Sequence, residues 1–509
     1  MGTSSSAFLF FILKIFLVSS TSSTLPLTVT VNVTTIINEV SPLYVSANFD
    51  WHTDAEEFPA WVNSSAMVID LDNINLRALA AAFAPSHLRV GGSEGDCIIV
   101  DLSGNDCNTL LPKTQAFCVN NSIGYPNAFC LSTSRWDEIL SFAQDSGMHI
   151  AFGLNAMLGR NGTAGPGPFD SSNVIGFLKY LYTKNSSVEF ARTLTLEFGN
   201  ELEFKVDAST YAKDLLSLKA QIDYIWENLV ENDRPRLVAN DENPDPGYWK
   251  SILPVIGTAI HAATWHNYYG YGLDPLLASK AFNYSFLSAT YSQALPMIDV
   301  SMDFVSKGGE LWVGETAMAW HSGRENVTDT YLSGPWYLNA LGWLAKTHKV
   351  HCRQTLLGGN YGLIDHFTFQ PNPDYFTALL WKKTMGVRVL DIVSSASESV
   401  LVFAHCALVG NGAITIAFVN LDESNTYSVT LTNNISTTPR SEYVLYPFGG
   451  NLASKQVLLN DNTTPLGIDN GIITPIVPKV ITDSTIPLIF QPRSYGYIVL
   501  SNSNIDICK

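Results

Sequence analysis

Two glutamates sit where chemistry can be done. In "LTLEFGNELEF" (Leu194 to Phe204), Leu194, Leu196 and Phe198 alternate with Thr195 and Glu197. That is the two-residue period of a half-buried strand, and it breaks at Gly199-Asn200-Glu201. "LWVGET" ends in the same way, on Glu315. Paired carboxyls about 5–5.5 Å apart are what glycoside cleavage with retention requires: one attacks the anomeric carbon and the other protonates the leaving oxygen. The acid must keep its proton near the working pH while the nucleophile stays ionised. Asn200, beside Glu201, offers an amide to a sugar 2-hydroxyl. His266 and Tyr268, in "AATWHNYY", are placed to orient Glu315 and keep it charged. Gly199 and Gly314 leave room for backbone to approach a ligand. Taken singly, each has a plainer reading. A strand-end Glu usually solvates a loop, a histidine beside Trp265 usually packs in the core, and Glu197 and Glu203 are equally near. Their joint placement favours a site.

The elements that must hold these groups read as eight strand-like runs between about residues 46 and 360. They are "VSANFD" to Asp50, "SHLRVGGS" to Ser93, "HIAFGLN" to Asn155, "LTLEFGNE" to Glu201, "RLVAND" to Asp241, "AATWHNYY", "LWVGET" to Glu315 and "VHCRQTLLGG" around Gln354. Helix-like segments such as "WDEILSFAQDS", "YAKDLLSLKAQIDYIWENLVE" and "WYLNALGWLAKT" fit between them. Each run reaches a polar side chain near its C-terminal end. A doubly wound sheet also does this, but the count of eight and the lack of a GxGxxG turn after the first strand favour an α/β fold of the (β/α)8 TIM-barrel type. Glu201 and Glu315 then close strands four and seven, on facing sides of the mouth. After about residue 385 the helix rhythm stops and strand runs separated by Asn, Gly and Pro take over. The expected organisation is a signal peptide (1–23), an N-terminal segment (24–45) joining a β-sandwich, the barrel (46–385) and the C-terminal β-sandwich domain (386–509).

Composition narrows the setting. The chain has 509 residues, 46% hydrophobic and 15% charged, with a formal net charge of −17. That balance argues against nucleic acid and anionic membranes as partners and against tight docking on a sulfated polymer. The apolar run Ala7–Val18, followed by small residues, is the length of a signal-peptide core and too short to span a bilayer. No integral membrane segment is expected after its removal. Nine sequons, at Asn32, Asn63, Asn120, Asn161, Asn185, Asn283, Asn326, Asn434 and Asn462, suit a secreted glycoprotein. Cys97, Cys107, Cys118 and Cys130 can form two loop disulfides, pairing open, and Cys406 with Cys508 can staple the second domain to its end. Cys352 is left as a buried free thiol. No CxxC or HExxH cluster suggests a metal, and no cofactor is expected.

The series "LEFGNE", "TWHNYY", "WVGET" and "CRQTLLGGNYGLID", with "HLRVGG" and "PNPDYFTALLWKKTMG", resembles the heparanase-like β-glucuronidases of glycoside hydrolase family 79. The resemblance implies a retaining mechanism with Glu201 as acid/base and Glu315 as nucleophile. It implies substrate contacts from Asp50, Ser93, Asn200, Tyr268, Gln354, Asn360 and Tyr361, with His266 grouped beside them. It implies a glucuronide-containing glycan or a small glucuronide as substrate, in an extracellular, lysosome-like or vacuole-like acidic setting. Three departures stand out. The stretch between Asp101 and Trp136 is too short for an excised linker, so a single chain is expected. Basic clusters for sulfated chains are missing. The loop after Glu315 carries Trp320, His321 and Ser322 where the family often has Tyr and glycines; His321 can itself pair with a carboxylate when protonated. Two rival readings are a retaining glycosidase of the same architecture acting on a neutral sugar, and a non-catalytic glycan-binding glycoprotein.

Overall fold

The computed structural model describes residues 23–52, 59–103, 129–160 and 167–509. Eight parallel strands close into a barrel: Val45–Asp50, His87–Gly91, His149–Leu154, Leu194–Phe198, Arg236–Glu242, Ala262–Asn267, Glu310–Thr316 and Val350–Arg353. Neighbours in sequence are neighbours in the ring, and the eighth strand returns to the first through His351 opposite Val45. These are the eight runs expected. Because parallel strands are covered on both faces, they read as near-continuous apolar stretches. Leu88 and Val90 fit that pattern, while Arg89 between them has the opposite parity and points into the barrel. The helices follow the strands. Ala208–Ile225 starts at Asp207, whose side chain accepts from the backbone N–H groups of Ser209 and Thr210.

A second sheet of ten strands stands beside the barrel. The N-terminal strand Thr24–Glu39 enters it, antiparallel to Met385–Ser394 and parallel to Thr426–Leu431. All ten strands belong to one hydrogen-bonded sheet, which folds over on itself. Phe418 and Phe490 are remote in the strand order, yet their rings stack at 3.7 Å with planes 6° apart. Leu27, Val29, Ile416 and Ile498 fill the same interior. The sandwich is therefore a rolled sheet rather than two separate ones.

Helices Gly334–Leu344 and Pro373–Thr384 lie between barrel and sheet, which is why they are apolar almost all round. Hydrogen bonds cross the contact. The Tyr497 hydroxyl donates to the Thr377 carbonyl (2.7 Å), and the Tyr331 hydroxyl donates to the carbonyl of Leu445 (2.9 Å).

Within the strand runs expected after residue 385, "PLIFQPRSYGYIVLS" supplies two strands: Leu488–Phe490 on one edge and Tyr495–Leu500 inside the sheet. The turn between them holds Arg493 at φ +47°. The long strand Met385–Ser394 was not anticipated, because it follows helix Pro373–Thr384 with no intervening turn residue.

Cys406 and Cys508 are bonded, with Cα atoms 5.2 Å apart. Cys97 and Cys130 are each in a disulfide, and Cys352 is buried and free. Cys107, Cys118, Asn120, Asn161 and the apolar N-terminal run lie outside the described residues. Of the remaining sequons, Asn32 is half-buried and Asn63, Asn185, Asn283, Asn326, Asn434 and Asn462 are exposed. Among the described residues no helix is long and apolar enough to cross a membrane.

Candidate active site

The fourth strand turns sharply after Phe198. Gly199 is at φ +77°, and Glu201 itself is in the left-handed region at φ +51°, a conformation uncommon for a non-glycine residue and held only where the surroundings enforce it. The Glu201 backbone N–H donates to the carbonyl of Asp241, the residue at the end of strand five (2.8 Å). This turn lifts the Glu201 side chain to the mouth, where it is 26% exposed, against 9% for Glu315.

His266 joins the two acids. Its Nδ1 lies 2.7 Å from Glu201 Oε1 and 3.7 Å from Glu315 Oε2. The retaining separation of about 5–5.5 Å is compatible with those two contacts. On the other ring edge, Nε2 approaches Asp241 Oδ1 at 3.0 Å. Glu315 is held from two sides: the Tyr268 hydroxyl donates to Oε2 (2.9 Å) and Arg89 Nη1 to Oε1 (2.6 Å). The expectation that Tyr268 orients Glu315 is met in the geometry, whereas His266 is turned mainly to Glu201.

Arg89 is the hub of the site. It also donates from Nε to Glu197 (2.8 Å), and from Nη2 to Asn200 Oδ1 (2.8 Å) and to Asp241. Asn200 is fixed further by its N–H to Asp96 (2.9 Å) and its Nδ2 to Ser93 Oγ (3.2 Å). Gly314 is needed for this packing. A Cβ there would run into the Asp241 carboxylate, so the space is filled by Asp241 and not by a ligand. A Cβ at Gly199 would likewise meet Ala156 at 3.0 Å.

The opposite wall holds the remaining candidates. Asp50 accepts from Gln354 Nε2 (2.6 Å) and from the His52 N–H (2.9 Å), and Asn48 Nδ2 donates to Gln354 Oε1 (3.0 Å). Tyr361 packs in one cluster with Trp61 and Ala317, against which Tyr268 rests. The Asn360 N–H donates to the Ser322 carbonyl (2.8 Å), and Trp61 Nε1 donates to Ser322 Oγ (2.8 Å). Of the eight substrate-contact candidates, Tyr268, His266 and Asn200 are tied to the acids directly or through Arg89, Asp50 and Gln354 bond to each other, and Asn360 bonds to the loop after Glu315.

Burial and charge set the protons. Burial opposes a charged His266, but Asp241, Glu315 and the hydrogen bonds to Asp241 and Glu201 outweigh it and hold the imidazolium well above its usual range. Burial also works to raise Glu201, yet the hydrogen bond and charge of His266 keep it below the ordinary carboxylate range. These are two faces of one shared proton, which rests on His266. Glu197, buried and beside Asp241, is pushed up to about 8 despite Arg89. Asp50 is pushed up to about 7 by burial and by Glu315.

Asp241, His266 and Glu315 bring ligand-type atoms within 4.8 Å of one another. Those atoms already face Arg89, Tyr268, Glu201 and each other, an ion-pair network with a guanidinium near its centre.

Arg89, Asp241 and Glu197 were not singled out from sequence. A charged residue between the apolar pair Leu88 and Val90 was the available signal for Arg89. Asp241 follows Asn240 at the end of its run as Glu201 follows Asn200, so the same signal was present there.

Residues 26–342 match the family model described as "Glycosyl hydrolase family 79, N-terminal domain". This chain belongs to glycosyl hydrolase family 79. It is therefore a glycoside hydrolase, consistent with the acid pair at the barrel mouth. Among relatives in this family, heparanase-like protein 1 of Arabidopsis thaliana is 31% identical over 92% of each chain. The baicalin-beta-D-glucuronidase of Scutellaria baicalensis is 31% identical over 86% of this chain and 85% of that one. In fold, the family 79 chain is similar to a thermostable alpha-L-arabinofuranosidase of family 51 from Thermotoga petrophila RKU-1. The TM-score is 0.63 at 14% identity, covering 93% of this chain and all of that one.

Proposed function

We propose that this enzyme is a retaining β-D-glucuronidase, with Glu315 as nucleophile and Glu201 as acid/base. The observation that carries the reading is the His266 bridge, 2.7 Å from one carboxylate and 3.7 Å from the other. In the first step a Glu315 oxygen bonds to the anomeric carbon as the bond from that carbon to the aglycone oxygen breaks. Glu201 delivers its proton to the departing oxygen. In the second step Glu201 takes a proton from water, the water oxygen bonds to the anomeric carbon, and Glu315 leaves as a carboxylate.

The surroundings support this division of labour. Arg89 and Tyr268 donate to the two oxygens of Glu315 and fix its carboxyl in place for attack. Glu201 is the more open acid and draws on the proton shared with His266. Transfer of that proton to Glu201 becomes easier as Glu315 loses its charge to the glycosyl ester, since Glu315 is one of the charges that hold the proton on His266. Asn200, fixed by Arg89, Asp96 and Ser93, is the group offered to a sugar 2-hydroxyl.

A uronate at a chain end or on a small aglycone is the substrate class favoured over an internal sulfated site. One relative is named for acting on baicalin, as a β-D-glucuronidase. The net charge of −17 disfavours a sulfated polymer. The signal-like N-terminus, the sequons and the bonded cysteines support passage through an oxidising secretory compartment. We likewise read 24–45 with 386–509 as one domain and 46–385 as the other, on the strength of the strand pairing.

Proton NMR of an aryl β-D-glucuronide during turnover tests the reading. Glucuronic acid released first as the β-anomer is the expected result. First release as the α-anomer, or cleavage of aryl glucosides with the glucuronide left intact, would contradict it.

A further inference from the structure

Two short strands continue the sixth and seventh barrel strands past the catalytic level. Gly270–Tyr271 pairs in parallel with Ala319–Trp320. Across this pairing the rings of Tyr271 and Trp320 meet with centroids 4.5 Å apart, their planes inclined by 31°. Neither ring is covered: Tyr271 is 39% exposed and Trp320 49%, with Leu273 beside them in sequence at 56%. Large aromatic side chains left open on loops that carry a site need an explanation.

The rings are held by construction. The Gly272 N–H donates to the Trp320 carbonyl (3.0 Å). A Cβ at Gly272 would come within 2.8 Å of the carbonyl oxygens of Trp320 and His321, so only glycine permits this approach. His321 and Ser322 continue at φ +62° and +59°, a strained conformation kept where the surroundings enforce it. The same loops also build the site. Tyr268, three residues before Tyr271, donates to Glu315, and Ser322, two residues after Trp320, accepts from Trp61 and Asn360.

The chemistry of the surface is one-sided. In residues 270–274 and 319–323 the only ionisable side chains besides Tyr271 are Asp274 and His321. Asp274 is bound to Lys280 (2.6 Å), and nearby Arg324 turns Nη1 to the Gly272 carbonyl (3.4 Å). A sulfate gains little from such a lining; a flat π-face gains stacking area.

We propose that Tyr271 and Trp320, flanked by Leu273, form a leaving-group subsite that takes a planar aromatic aglycone. This deepens the glucuronidase reading and rests on it. The subsite binds the phenol ring of an aryl glucuronide while the uronate occupies the pocket between Glu201 and Glu315. It contributes mainly to kcat/KM for aryl substrates.

The test compares kcat/KM for methylumbelliferyl β-D-glucuronide with that for methyl β-D-glucuronide and for a glucuronosyl-N-acetylglucosamine disaccharide. The variants are Trp320→Ala, Trp320→Phe and Tyr271→Ala. The aryl-to-methyl ratio is expected to fall about three- to tenfold in Trp320→Ala and to recover largely in Trp320→Phe. An unchanged ratio overturns the proposal, as does an equal or larger loss on the disaccharide, which would mark a sugar subsite. A second arm measures binding of free methylumbelliferone to wild type and Trp320→Ala by equilibrium dialysis. Weaker binding by the variant supports the proposal, and equal binding overturns it. If the wild type cleaves no glucuronide, the glucuronidase reading fails, while the dialysis still decides the aromatic subsite.

Discussion

His266 Nδ1 sits 2.7 Å from Glu201 Oε1, and Asp241, Glu315 and the hydrogen bonds to Asp241 and Glu201 hold its imidazolium well above the usual histidine range despite burial. The pair titrates as a unit: while His266 is charged, Glu201 stays ionised, and the unit loses its proton only above the usual histidine range. On the proposed acid/base role of Glu201, the basic limb of the pH–kcat/KM profile is expected to belong to the pair.

Replacing His266 with Gln keeps a hydrogen-bonding group but removes the charge. The basic limb is expected to move to lower pH by a unit or more, because a lone buried Glu201 holds its proton less firmly than the pair does. kcat at the new optimum should fall about 10²-fold or more, in line with loss of positioned acid–base help. A pH–rate profile of the variant checks this. An unmoved limb would show that His266 only packs the site.

Asp50 gives a second pH effect, on binding. Burial and the nearby Glu315 charge hold its carboxyl at about 7, so it is neutral in mildly acidic solution. As pH rises through 7 it ionises, on the proposed reading, in a wall that faces the uronate. KM for a glucuronide should then rise about three- to tenfold, the size of a like-charge contact at intermediate range and dielectric. KM for a matched neutral glycoside, where measurable, should not. Asp50→Asn should flatten the glucuronide curve.

A stability prediction comes from His348. The Trp265 indole N–H donates to His348 Nε2 (2.9 Å), so that nitrogen must stay unprotonated. Burial pushes the group down to about 3, well below its value in the unfolded chain. A depressed histidine leaves the folded state binding fewer protons, so its contribution to stability is whole at neutral pH. That contribution falls by about 1.4 kcal/mol per pH unit below about 6.5. His348→Gln should be less stable at pH 7 than wild type. Its further loss between pH 7 and pH 5 should be smaller by up to about 2 kcal/mol. Urea unfolding at the two pH values reads the difference.

The barrel was legible because its strands are short, apolar and separated by helical periods, and because the acids mark strand ends. The two acids, Asp50 and Gln354 could be read for the same reason, as polar residues at or near the C-terminal ends of apolar runs, whereas Tyr361, beyond the eighth strand, was reached only through the family resemblance. Arg89 was not legible in this way, since its role depends on four partners from three other strands and the turn after one of them. Met385–Ser394 was hidden by the absence of a turn before it. The direction in which His266 faces depends on the left-handed turn at Glu201, and no local sequence signal announces that turn.

The most direct measurement is covalent labelling with a cyclophellitol-type epoxide bearing a uronate, followed by peptide mapping. One adduct on the peptide containing Glu315, absent from Glu315→Gln, is the expected result. An adduct on Glu201, or no adduct from an enzyme that still turns over aryl glucuronides, would contradict the assignment of the nucleophile.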